Sequence, residues 1–164
     1  MIQKVVSRLF IVAIACVFLQ IPFFVEQYAV RLEGHQAESQ RQIAAFTEAA
    51  AAGGKTLDLY TAKFLEQQDQ DFRSQGMVMQ KAIERHQFLT RACDALHNAG
   101  PFLKPFVFVR YFDSEVVADA WKGFTPGFSL SLSVVVFGVI GLIVGWGITV
   151  VTRNLWSSLG SRTP

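Results

Sequence analysis

From Phe128 to Thr152 the chain holds no Asp, Glu, Lys, Arg or His. An uncharged apolar stretch of roughly 20 residues covers about 30 Å as a helix, the thickness of a bilayer's hydrocarbon core. This absence predicts a transmembrane helix. Cysteine is almost as scarce: Cys16 lies in the apolar N-terminal region and Cys93 in the middle of the chain, so the sequence predicts no disulfide within the chain. Cys93 has no second Cys at ligand spacing and reads as a small apolar residue on a helix face. The sequence also lacks a nucleophile elbow, a phosphate-binding glycine loop, a Cys-x-x-Cys pair and a basic stripe suited to nucleic acid. The expectation is a non-enzyme without catalytic residues, cofactor or metal site, and without a nucleic-acid partner.

A second apolar stretch runs from Leu9 to Val25, interrupted by Gln20 and Pro22 and preceded by Lys4 and Arg8. A cleaved signal peptide fits poorly. The small-residue site around Ala13 and Ala15 comes too early in the apolar run for signal peptidase, and a lipoprotein site at Cys16 would follow too short a hydrophobic segment. This stretch therefore reads as a retained first span. Lys4, Arg8, Arg153 and Arg162 flank the two spans with no acidic residue among them. All 13 acidic residues lie between the spans and give that region a net charge of −2. Basic residues near span ends stay in the cytoplasm, so both termini are expected there and the middle across the membrane, in a bacterial periplasm.

The expected fold is an all-α membrane protein, with two transmembrane helices flanking an exported antiparallel helical bundle. Residues 1–25 form the cytoplasmic flank and first span, 26–100 the periplasmic bundle, 101–127 an interfacial aromatic segment, 128–152 the second span and 153–164 the cytoplasmic tail. Only Gly34 weakens the helical pattern between Phe23 and Ala52, so the first helix is expected to run on beyond the membrane. Leu32, Gln36, Ser39, Ile43, Phe46 and Ala50 share one stripe of it; Met79, Ala82, His86, Leu89, Cys93 and Leu96 form a matching stripe on a later helix. Leu32, Ile43, Phe46, Met79, Leu89 and Leu96 are the expected seam. A short helix begins after Thr56 as N-cap, Gly76 marks the turn into the later helix, and Asn98 to Pro101 stops it.

The segment from Pro101 to Pro126 carries Phe102, Phe106, Phe108, Tyr111, Phe112, Trp121 and Phe124 among basic and acidic residues. Aromatic rings and snorkelling basic side chains suit the headgroup layer, so this segment is expected on the outer membrane surface or as a docking surface. It includes an amphipathic helix from Asp113 to Lys122 with Val116, Val117, Ala120 and Trp121 on its apolar side. In the second span Gly138, Gly141 and Gly145 form a small-residue face that permits close helix approach. Its partner, whether Ala13 and Ala15 of the first span, another copy or another protein, is left open by the sequence. His35 and Glu38 supply at most two ligands, and His86 and His97 stand about 16 Å apart along a helix, too far to share an ion. All three histidines read as surface residues of the bundle.

The segment Gln20-Ile21-Pro22-Phe23-Phe24-Val25-Glu26-Gln27-Tyr28-Ala29-Val30-Arg31-Leu32-Glu33-Gly34-His35-Gln36-Ala37-Glu38 resembles the N-terminal signature of domain-of-unknown-function family 2937, short proteobacterial inner-membrane proteins. The resemblance implies an intact first span, a bacterial host and an apolar segment at each end of a helical middle; it supplies no site residues. The expected function is a non-catalytic accessory, scaffolding or assembly subunit of an inner-membrane complex. Its expected partners are membrane lipid together with a membrane protein or a second copy. The alternative is a periplasmic sensor or ligand-binding module that signals through a partner, because the tail after Thr152 leaves no room for an output domain.

Overall fold

One helix, α1, runs unbroken from Ile2 to Ala52 in the computed structural model, which describes residues 2–127 and 132–160. The start of the expected second span at Phe128 and the basic Arg162 lie outside the described residues. Pro22 sits inside α1 and is buried. Its missing N–H leaves the carbonyl one turn earlier without a helical donor, yet the helix continues. At the far end Gly53 and Gly54 stop α1: Gly53 N donates to Ala50 O at 3.0 Å and Gly54 N to Ala51 O at 2.8 Å. Gly54 takes φ +67°, a left-handed conformation that a Cβ would strain.

The chain then reverses through α2 (Leu57–Leu65), with the Thr56 hydroxyl accepting from Leu59 N, and α3 (Gln70–Asn98), capped by Asp69 accepting from Asp71 N. Gly76 does not mark a turn. It lies buried within α3 where the end of α2 crosses it, and a Cβ there would stand 2.9 Å from Leu65 N. The glycine serves close approach, and the turn is supplied by the residues before the Asp69 cap.

Two short helices return the chain toward α1, namely α4 (Lys104–Arg110), with Pro105 in its first turn, and α5 (Ser114–Lys122). The Phe106–Val109 run is thus helical. Helix α6 (Leu132–Gly160) closes the molecule and extends past the expected end of the second span at Thr152. Among the described residues there are six helices and no strand.

The main core lies where α1, α3 and α5 meet. Val25, Tyr28 and Leu32 of α1 pack with Leu89, Ala92 and Leu96 of α3 and with Val116 and Ala120 of α5. Burial of each large apolar side chain contributes about 1.5–3 kcal/mol. Toward the distal tip Ala50 and Met79 are buried, while Ile43 and Phe46 are half-buried. Below this core α1 and α6 form an antiparallel hairpin. Both are long and apolar enough to cross a membrane.

Candidate functional site

The hairpin is held together at its glycines. A Cβ added to Gly138 would lie 2.7 Å from Leu19 Cδ2, one on Gly141 would lie 2.8 Å from both Ala15 Cα and Phe18 Cβ, and one on Gly145 would lie 3.1 Å from Ile11 Cα. The glycine face is thus filled from within the chain. Ala15 is buried in this contact, whereas Ala13 is exposed. Thr149 folds its hydroxyl back onto Gly145 O at 2.8 Å, which satisfies that polar group within the helix. On the outside of the hairpin, Leu9, Phe10, Val12 and Val17 of α1 and Val135, Val139, Ile143 and Trp146 of α6 are exposed.

Directly above the hairpin, α4, α5 and the following turn wrap α1 as a collar. Tyr28 donates its hydroxyl to Tyr111 O at 2.8 Å, which ties the end of α4 to α1. Phe24 makes edge contacts with Phe108, Trp121 and Phe124, and the Tyr28 ring meets Phe108 at 4.8 Å. Lys104 pairs with Glu26 at 2.8 Å, immediately after the apolar part of α1. Gln27 Nε2 donates to Thr125 O and Gln20 Nε2 to Gly127 O. From α5, where Asp119 meets His35, to Gly127, which meets Gln20, the chain descends along α1.

The seven aromatic residues of the 101–127 segment therefore do not share one surface. Phe108, Tyr111 and Phe124 are partly covered by the collar's own packing. Phe102, Phe106 and Phe112 remain exposed with Leu103 and Val109 on and beside α4, and Trp121 is exposed beside Phe124, stacked at 5.9 Å. On α5 the expected apolar face divides: Val116 and Ala120 are buried against α1 and α3, Val117 packs beside them, and Trp121 points outward. The Val116 and Ala120 side of α5 is covered by protein, because α1 and α3 together offer it an apolar surface.

Charged groups fix the collar. Asp113 Oδ1 caps α5 by accepting from Glu115 N and Val116 N, each at 3.1 Å, and Asp113 also receives two bonds from the Arg85 guanidinium of α3. The hydrogen bonds from Arg85 hold the Asp113 carboxyl below the usual carboxylate range, against burial, with the two backbone N–H groups acting in the same direction as Arg85. The Arg85 pKa is raised, first by the hydrogen bond to Asp113. Above the collar His35 Nε2 contacts Asp119 Oδ2 at 3.1 Å and Lys122 donates to Asp119 Oδ1 at 3.0 Å. Lys122 and His35 together lower the Asp119 carboxyl. His35 is thus engaged with α5, and His86 is half-buried on α3; both differ from simple surface histidines.

Sequence reasoning missed Tyr28, Arg85 and the α1–α5 pairing through Asp119. Their partners lie far away in the chain, and no local spacing encodes such contacts. Cys93 is half-buried, and burial pushes its thiol up to about 11, with Glu33 and Asp94 adding to the effect. Among the described residues no group of three His, Cys, Asp or Glu side chains is placed to hold a metal ion.

Residues 2–162 match the profile of the family described as "Protein of unknown function (DUF2937)". The chain belongs to this family. The match covers nearly the whole length, well beyond the N-terminal signature that carried the resemblance. No curated protein and no solved structure matches the chain.

Proposed function

We propose that this DUF2937 protein is a non-catalytic accessory, scaffolding or assembly subunit of a bacterial inner-membrane complex. In this reading α1 and α6 cross the bilayer, both termini face the cytoplasm and residues 26–127 stand in the periplasm. The observation that carries it is the outward belt of large apolar side chains on α1 and α6. A core helix of a water-soluble domain would cover such residues, whereas lipid is the solvent that accepts them. The flanking Lys4, Arg8 and Arg153 give the orientation.

Partner recognition in this reading falls to the part outside the membrane, because the glycine face is already filled within the chain. Helix α1 carries the bundle about 40 Å beyond Val25 as one continuous element. Leu59, Phe72, Met77 and Val78 are exposed near its tip, an apolar group suited to a protein partner or a second copy. The sensor alternative draws on the same continuity of α1, which would couple the bundle to the span. Purification in mild detergent with mass spectrometry of co-eluting proteins separates the two. A stable heteromeric partner supports the accessory role; a lone protein whose melting temperature rises with a small molecule contradicts it.

A further inference from the structure

A groove runs between α1 and α5, lined by Val30, Arg31, Gly34, His35, Asp119 and Lys122, with Glu38 at its outer end. Two glycines keep it open: nothing lies within 4 Å of a Cβ at Gly34, and the Arg31 guanidinium rests against Gly123, where a Cβ would stand 2.6 Å from Nη2. Asp119 is engaged by His35 and Lys122, and Glu38 by Arg41 at 2.8 Å. Arg31 has no carboxylate partner among the described residues. The groove's cation without a carboxylate partner is therefore a guanidinium, a group shaped to take a phosphate.

Its height matters as much as its chemistry. Arg31 is rooted about 9 Å beyond Val25 along α1, and helical side chains lean toward the N-terminus, here toward the apolar hairpin. The headgroup layer occupies about 5–8 Å beyond the hydrocarbon on each side. The guanidinium thus reaches phosphate level, while Asp119 and Glu38 lie one to two turns farther out. Exposed Trp121 stands next to Lys122 on the same helix, a ring type that favours this layer. Formal charges of Arg31 and Lys122 balance those of Asp119 and Glu38, so the groove as a whole suits a ligand carrying both signs rather than a purely anionic one.

We propose that this groove seats the headgroup of a zwitterionic phospholipid, the phosphodiester on Arg31 and the ammonium directed toward Asp119, whose side chain is 43% exposed beside its bonds to His35 and Lys122. The inference rests on the membrane-spanning reading above. The full chain is reconstituted into vesicles of equal phosphatidylethanolamine and phosphatidylglycerol, floated on a density gradient, then extracted in mild detergent and its retained lipid counted by native mass spectrometry. Flotation tests the spans; lipid selection tests the groove. The expected result is retention of phosphatidylethanolamine over phosphatidylglycerol, falling about fivefold or more in Arg31→Gln and largely kept in Arg31→Lys.

Asp119→Asn is expected to shift the preference toward phosphatidylglycerol, and Gly34→Leu, which fills the groove without removing charge, to lose retention as Arg31→Gln does. Lys63→Gln, on the distant α2, keeps the wild-type pattern. A floating protein that retains both lipids equally, prefers phosphatidylglycerol, or is unaffected by both Arg31→Gln and Gly34→Leu overturns the proposal while leaving the spans intact. So does displacement of the lipid by millimolar inorganic phosphate, which would assign the groove to free phosphate.

Discussion

Arg85 and Asp113 join the two halves of the region outside the hairpin: a guanidinium from the middle of α3 grips the carboxylate that also caps α5. The Asp113 side chain is 10% exposed and that of Arg85 33%, so water screens the pair only in part. One carboxylate therefore fixes where α5 begins and which helix it leans on.

Asp113→Ala removes both a helix cap and a charge-assisted pair, and a loss of about 2–4 kcal/mol is expected in thermal or denaturant unfolding. Asp113→Ser keeps a capping oxygen and is expected to lose less, with Arg85→Gln similar to Ser. Equal stability of Asp113→Ala and wild type would contradict the pairing.

The same carboxylate sets an acid limit. Its folded pKa lies below the unfolded value, so its stabilisation is fully present above about pH 4 and is lost as pH falls through the folded value. Wild-type melting temperature is expected to fall more steeply below pH 4 than that of Asp113→Asn. Parallel curves for the two would show that Asp113 titrates as it does in the unfolded chain.

Glycines in this chain answer differently according to what faces them. Gly141→Leu and Gly145→Leu force α1 and α6 apart and are expected to lower stability in detergent by several degrees, while Gly147→Leu, with nothing within 4 Å of its Cβ, is neutral. Gly76→Ala drives a methyl against the backbone of Leu65 and is expected to cost about 1–3 kcal/mol. If Gly141→Leu and Gly145→Leu both leave stability and assembly unchanged, the close helix contact is wrong.

Cys93 is expected to stay unreactive at neutral pH, because burial keeps it protonated until about pH 11. Alkylation of the folded protein with iodoacetamide at pH 8 is expected to be much slower than after unfolding. Equal rates would place the thiol in open water.

Much of the scaffold was legible because it is written in local pattern. Uncharged apolar length marks α6, the lack of breakers between Phe23 and Ala52 marks the continuation of α1, and Thr56 is read as a cap from its own neighbourhood. Leu32 and Leu89 belong to repeating stripes, and the structure buries both in the core shared by α1 and α3. Gly76 was misread because a glycine in sequence looks the same whether it makes a turn or admits a crossing helix. The collar was the least legible part. Phe108, Tyr111, Val116 and Ala120 have the composition of a membrane-surface segment, and only the fold brings the α1 and α3 surface that covers them. Arg31 and Asp119 carry no motif at all, since the groove they line exists only once α5 lies along α1.

Sidedness is the most direct test of the proposed arrangement. In a Cys16→Ser, Cys93→Ser background, single cysteines replacing Lys55, between α1 and α2, and Arg8, near the N-terminus, are probed with a membrane-impermeant maleimide on cells with a permeabilised outer membrane. Lys55→Cys is expected to be labelled at once and Arg8→Cys only after the inner membrane is opened. Immediate labelling of both, or of Arg8→Cys alone, would contradict it.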